Sequence, residues 1–325
     1  MIIMRIALAA ILALDLLAAS LATAEQPAGT VYRVGLLWPG GAPPSRLRME
    51  AFRKGLLDAG YVEGQNIVID ERHAEKAERL YELATEMVRS KASVIVSFGD
   101  LGPQMAQKAT KTIPIVAATD DFVGAGLVTS LGRPEANTTG VNILSPELSA
   151  KRLSLLKEIL PKLSRVGVLW DPVNSSQLIA AQNAAKALAV KLQVFEIRSR
   201  EDVAAAFRAA RKGRVEAINV FASPLLSSLH QSILDGAASY HFPAIYQWRE
   251  HAEEGGLVSY GPSLTEVWRQ TGMVVGKILK GAKPGDLPIE QPTKFELVVN
   301  MKTAKAIGVT IPRPVLLRAD QVIDR

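Results

Sequence analysis

The stretch Tyr32-Arg33-Val34-Gly35-Leu36-Leu37-Trp38 returns later in the chain as Ser164-Arg165-Val166-Gly167-Val168-Leu169-Trp170. One strand-like unit met twice predicts two copies of a fold unit, not a solenoid array. The segments around each copy follow the same order. In the first, 31–38 reads as a strand closed by the Pro39-Gly40-Gly41 loop, and 47–59 as a helix with Leu47, Phe52, Leu56 and Leu57 on one face. A strand at 66–72 and a helix at 80–90 follow. The runs 94–98 and 113–118 are short and apolar, the pattern of strands buried on both sheet faces. In the second copy, Trp170 is followed by a helix at 175–190, a strand at 193–197, a helix at 203–211 and a buried strand at 217–221. Strands alternating with helices at this pitch imply βαβ units. The predicted fold class is therefore α/β, with two Rossmann-like lobes built on parallel sheets.

A chain of 325 residues suits two lobes of roughly 150 residues each. The segment 137–142 lies between the copies and reads as the first crossing from lobe to lobe. A second crossing is expected at 255–262, before a helix over 264–280, and a third at 295–300, after the Gly- and Pro-rich stretch 281–292. The expected division is 31–140 with 261–290 for lobe one, and 141–258 with 295–325 for lobe two. Several strands joining two lobes make a hinge that opens and closes around a ligand.

At 48% hydrophobic and 22% charged residues the chain has enough aliphatic content to exclude disorder. Its net charge of +6 comes from scattered basic residues, not from runs interleaved with aromatics, so a nucleic-acid partner is not expected. The N-terminus reads as an export signal. Arg5 supplies the positive region, 6–14 the apolar region and Ala22-Thr23-Ala24 the cleavage site, giving residues 1–24 as a signal peptide cut after Ala24. Asp15 interrupts the apolar run, which then falls short of the ~20 residues a membrane span needs. Cysteine is absent, which excludes lipid anchoring at a cleavage-site Cys, disulfides and thiolate metal sites. The expected protein is periplasmic, unanchored and monomeric.

Catalysis finds little support. His73, His230, His241 and His251 have no metal-ligand spacing, and there is neither a His-Glu-x-x-His nor a Gly-x-Ser-x-Gly nor a phosphate-binding P-loop. Gly124-x-Gly126 lacks the third glycine of a dinucleotide fingerprint, since Thr129 stands there, and Asp120-Asp121 would repel a pyrophosphate. That segment is expected to be a turn opening a helix. No catalytic residue, cofactor or metal is predicted.

In open parallel sheets, ligands bind beyond the carboxyl ends of the strands. Those ends supply the candidate ligand-binding residues Trp38, Gly99, Asp100, Leu101, Thr119, Asp120 and Asn142 in lobe one. Lobe two supplies Trp170, Asn174, Ser175, Ser223 and Tyr246. Aromatic faces mixed with short polar groups suit a small organic solute, the rings providing area and the polar groups orientation. Trp38 and Trp170, at equivalent strand ends, are placed to face each other across the cleft or to lie in their lobes' cores.

Several motifs resemble the ABC-transporter substrate-binding proteins of the tryptophan/tyrosine type. Among them are Phe52-Arg53-Lys54-Gly55-Leu56 with Gly60-Tyr61-Val62-Glu63-Gly64-Gln65-Asn66, and Gly126-Leu127-Val128-Thr129-Ser130-Leu131-Gly132-Arg133-Pro134. Others are Lys151-Arg152-Leu153, Pro243-Ala244-Ile245-Tyr246, and Lys277-Ile278-Leu279-Lys280-Gly281-Ala282-Lys283-Pro284 with Gln291-Pro292-Thr293-Lys294-Phe295-Glu296. The resemblance implies a type I periplasmic-binding fold and delivery of a solute to a permease driven by an ATPase; some members bind aromatic amino acids. A sensory module presenting its solute to a receptor is the alternative. This chain departs from the family pattern at Gly99-Asp100-Leu101-Gly102-Pro103, where Gly-Thr-Pro-Ala-Ala is common, and at Asp121-Phe122-Val123, where Asp-Pro-Val is usual. An acidic cleft edge of Asp100, Asp120, Asp121 and Asp171 suits an amine-bearing or hydroxyl-rich ligand at least as well as an amino acid.

Overall fold

Short apolar strands become the inner members of two sheets, each flanked by the helices that connect them. The computed structural model describes residues 30–40, 43–74, 76–173 and 175–324. The expected signal peptide and Asn174 lie outside them. The first sheet holds β1 (Tyr32–Trp38), β2 (Ile67–His73), β3 (Val94–Phe98), β4 (Ile115–Thr119) and β5 (Thr138–Asn142), in the order β2-β1-β3-β4-β5 and parallel throughout. β3, β4 and β5 are buried at every position. Between them run α1 (Arg46–Asp58), α2 (Ala77–Arg89) and α3 (Leu101–Ala109). α2 buries Leu80, Leu83, Ala84 and Met87, the i, i+3, i+4, i+7 stripe of a helix on a core. In α1 the buried stripe is Met49, Phe52, Gly55 and Leu56. Leu47 and Leu57, expected on that face, fall outside the stripe and are exposed.

The chain leaves the first sheet after Asn142, not at 140, and Leu144 there takes φ 61, a left-handed conformation unusual for a non-glycine residue. α4 (Ser145–Ile159) then begins the second lobe. Its sheet contains β6 (Arg165–Trp170), β7 (Lys191–Glu196), β8 (Ala217–Val220), β9 (Ala244–Tyr246), β10 (Val258–Pro262), β11 (Phe295–Asn300) and β12 (Gln321–Ile323). The strand order is β12-β11-β10-β9-β8-β6-β7. The paired motifs occupy equivalent places: β1 lies between β2 and β3, and β6 between β7 and β8. Connecting and flanking helices are α5 (Ser175–Ala187), α6 (Arg200–Lys212), α7 (Pro224–Ser228), α8 (His230–Ser239) and α9 (Arg249–Glu253). α6 is delimited by its own sequence, with the Ser199 hydroxyl accepting from the Asp202 N–H at one end and Arg211 and Lys212 at the other.

After β10 the chain returns to the first lobe as α10 (Leu264–Leu279), then re-enters the second sheet as β11; α11 (Met301–Ala306) and α12 (Arg313–Arg318) follow. Re-entry from the edge by which β10 leaves makes β11 antiparallel to β10. The second sheet is therefore parallel with one exception. The stretch 121–130 is a run of turns with no helix after it, because Leu127 and Val128 instead pack with Phe122 and Ile289 in a small core. Among the described residues no helix is long and apolar enough to cross a membrane.

α10 lies so close against α1 that glycine is required at the contact. A Cβ on Gly55 would fall on the backbone carbonyl of Arg269, and one on Gly272 would fall on that of Phe52. Backbone cannot swing aside as a side chain can. Gly55→Ala is expected to destabilise the protein by ~1–3 kcal/mol through overpacking, read as a lower urea midpoint at unchanged slope; an unaltered midpoint would contradict this packing.

Candidate ligand-binding cleft

The carboxyl ends of the two sheets face each other and enclose two neighbouring cavities that share Asp120, Ser223 and Pro224 in their walls. The first, about 120 Å³, is the more polar of the two and has Asp100 and Leu101 on the first-lobe side, with Asp171, Val173, Arg198 and Leu225 opposite. The second, about 40 Å³, is aromatic and is lined by Trp38, Phe98, Trp248 and Trp268 with Ile143, Leu264 and Val267. The lobes approach closely here. Gly99 takes φ +67, and a Cβ on it would come within 2.5 Å of Pro224 from the other lobe. Glycine meets both demands at once, a left-handed turn and a near approach.

The aromatic wall is built by four separate pieces of chain. Phe98 and Trp268 stack with ring centroids 3.6 Å apart, and Trp38 meets them at 5.9 and 5.7 Å. Trp248, in the loop after β9, joins this first-lobe cluster from the second lobe. The Arg48 guanidinium lies 5.8 Å over the Trp38 ring, where Glu250 and Glu254 offset its charge.

The polar cavity is held by hydrogen bonds from neutral donors. Asp100 accepts from the Thr119 hydroxyl and from the Asp120 N–H at 3.2 Å. Asp120 accepts from the Ser145 hydroxyl at 2.5 Å, and Asp171 accepts from the Val173 N–H at 3.2 Å and from the Ser223 hydroxyl. All three carboxyls are at least 92% buried, with exposures of 6%, 3% and 8%. Burial pushes Asp100 up to about 6 and raises Asp120 well above the usual carboxylate range, with the neighbouring Asp100 adding to the latter shift. Burial raises Asp171 too. Behind Asp120 lies the fully buried Arg152, lowered by burial to about 9 and pulled back up by Asp120. Arg152 donates to the Ser149 hydroxyl at 2.9 Å and to the Tyr260 carbonyl at 3.3 Å. Gln177 ties the same cluster to the cleft. It accepts from Ser149 at 3.1 Å and from the Ala222 N–H at 3.0 Å, and donates to the Ala222 carbonyl at 2.8 Å.

Of the residues read as ligand-binding, Trp38, Gly99, Asp100, Leu101, Asp120 and Ser223 line the cavities. Thr119 and Asn142 stand one layer behind. Thr119 orients Asp100, and Asn142 accepts the Phe122 N–H at 3.2 Å, fixing the loop that carries Asp120. Trp170 packs against the second lobe's core and lines neither cavity, so it does not face Trp38; the residues after it, Asp171 and Val173, form the wall instead. Tyr246 is also a core residue. It sits on an inner strand, packs edge-on to His251 at 5.6 Å, and has a buried hydroxyl with no hydrogen-bond partner. Ser175 is exposed at the start of α5. The sequence reading missed Trp248 and Arg198, although each follows a strand end by two residues, after β9 and β7, and it missed Trp268, which reaches the cleft from a helix. Trp268 shares its helical stripe with the core residues Leu264, Val267 and Val275, and nothing local separates it from them. Among the described residues no group of three or more His, Cys, Asp or Glu side chains is arranged to hold a metal ion.

A family model described as ABC transporter substrate binding protein matches residues 42–323. A curated tyrosine-binding protein of Clostridioides difficile (strain R20291) is 29% identical over 266 residues, covering 80% of this chain and 76% of the relative. The crystal structure of an ABC domain from Streptococcus pneumoniae in complex with L-Trp is similar at a TM-score of 0.83 and 27% identity, over 90% of this chain and 100% of that one. The ligand-free, open structure of a substrate-binding protein with adhesive properties from Clostridium difficile is similar at 0.64 and 25% identity, over 90% and 99%. The match over most of the chain, the type I periplasmic-binding fold and the cleft between two α/β lobes agree: this protein belongs to the family of ABC transporter substrate-binding proteins, which bind their substrates and do not transform them.

Proposed function

We propose that this protein is the solute-capturing component of an ABC importer, exported to the periplasm. It takes a small organic molecule of the amino-acid or amine class between its lobes, closes on it and presents the closed form to a permease. The observation that carries this reading is a cavity pair whose walls come from both lobes, aromatic on one side and polar on the other. A ligand touching both walls favours the closed arrangement by the contacts it makes only there. The greater likeness to the L-Trp-bound relative than to the open, ligand-free one supports reading the present arrangement as closed. So does the close approach of Gly99 to Pro224. The tyrosine-binding and L-Trp-bound relatives support an aromatic cargo.

Screening the protein against L-tyrosine, L-tryptophan, arylalkylamines and polyols by thermal melting tests this reading. A true ligand at 100 times its Kd adds about 2.7 kcal/mol of stability, and small-angle scattering should show compaction with that ligand. A panel without a single stabilising member, or stabilisation with no compaction, would count against capture by closure. Three of the four tryptophans, Trp38, Trp248 and Trp268, line the aromatic cavity, and Trp170 does not. Ligand should therefore perturb the intrinsic fluorescence in a Trp170→Phe variant as in the parent, and less in Trp268→Phe. The reverse pattern would move the site away from this cleft.

A further inference from the structure

Taking the cleft as the binding site, we infer that its cargo is an arylalkyl amine, a cation with an aromatic ring and no carboxylate beside the nitrogen. Two features of the cleft lead there. Its polar half presents three buried carboxyls, Asp100 and Asp120 from lobe one and Asp171 from lobe two. Its other half is a box of Trp38, Phe98, Trp248 and Trp268. The halves share Asp120 in a common wall, so one molecule with a charged head and a flat ring fills both.

Asp120 is offset by Arg152 behind it, and Asp171 by Arg198. Arg198 is itself ion-paired to Glu196 and its side chain is 70% exposed, so it neutralises little. Among the described residues no cation meets Asp100: its hydrogen-bond donors are a hydroxyl and backbone N–H groups, and the nearby charge acting on it, Asp121, is negative. Buried carboxylates without counter-charge are costly. Asp171 also repels Asp120 from the opposite lobe, which opposes closure of the empty protein. An ammonium group between the lobes removes both costs together. An α-amino acid does so less well, because its carboxylate hangs on the same carbon as the nitrogen and enters the same acidic cavity. Arg48 does stand in the wall of the aromatic cavity, over Trp38, but on the far side from Asp100 and Asp171, and the charges of Glu250 and Glu254 act against it there.

Matched sets decide the point by calorimetry at pH 7.5: tyramine, L-tyrosine and 3-(4-hydroxyphenyl)propanoate, and likewise tryptamine and L-tryptophan. Each amine should bind at least tenfold more tightly than its amino acid, and the propanoate should not bind. An amino acid equal to or tighter than its amine overturns the inference and leaves capture in the cleft standing. A set in which no member binds or compacts the protein overturns both. Asp100→Asn should weaken amine binding at least tenfold while melting no lower than the parent, since it removes a buried charge; unchanged affinity in this variant would sink the assignment. The pH dependence supplies an independent readout. A carboxyl raised in the folded state from ~3.9 to about 6 confers stability that is complete below pH ~4 and is lost as pH rises through about 6. The ligand-free melting temperature should thus fall between pH 5 and 7.5, while amine affinity rises as Asp100 ionises. Asp100→Asn should flatten both slopes, and amine affinity independent of pH in the parent protein would contradict the role of Asp100.

Discussion

A parallel sheet has to be covered on both faces, because its crossover connections lay helices on either side. The inner strands β3, β4 and β8 accordingly bury every residue, and polar side chains find room mainly at the carboxyl edge. The two lobes turn these edges toward each other, so their polar residues come together in one place. Asp100 follows β3, Asp120 follows β4, Asp171 follows β6 and Ser223 follows β8, and all four meet in a single cavity. The aromatic half depends on the same constraint: Trp38 and Phe98 end β1 and β3, and α10 covers them with Trp268.

Burial at that junction turns ordinary carboxylates into sensitive ones. Asp120 lines the cavity and also accepts the hydroxyl of Ser145, the first residue of α4, just after the crossing at Leu144. Ser145 is in turn approached by Gln247 at 3.4 Å, and one turn on, Ser149 connects to Arg152 and through it to the Tyr260 carbonyl in β10. The first and second crossings are therefore linked by a chain of hydrogen bonds and charges that begins at the ligand wall. Such a network is a physical route by which charge placed in the cleft is felt at the hinge. Arg152 is buried completely and offsets a charge that faces the ligand, which ties a residue of the second lobe to the chemistry of the first.

The sheets were largely legible from local pattern. Runs such as Val94–Phe98 and Ala217–Val220 announce buried strands, and the α2 stripe announces a helix. The errors also have local causes. Leu47 and Leu57 are apolar but stand off the α1 stripe, and Gly124-x-Gly126 has the composition of a helix start while Leu127 and Val128 are drawn into a satellite core. At the site, strand-end reasoning located Asp100, Asp120 and Ser223, yet it could not separate Trp38 from Trp170 or reveal that Tyr246 is enclosed. Those outcomes depend on what packs against each ring, and the packing elements lie far away in sequence.

The paired Arg-Val-Gly-x-Leu-Trp strands by themselves determined that the chain builds two α/β lobes, and the acids after the strands that the cleft edge is negative. Both follow from periodicity and from strand-end position, which are properties of adjacent residues. Only the tertiary structure decided that Trp38 is partnered by Trp268 and Trp248, and that Asp100 has no counter-charge among the described residues. It alone also set Arg152 behind Asp120. Each of these is a relation between side chains brought together by the return of α10 and by the crossings between lobes, and local sequence carries no record of such a meeting.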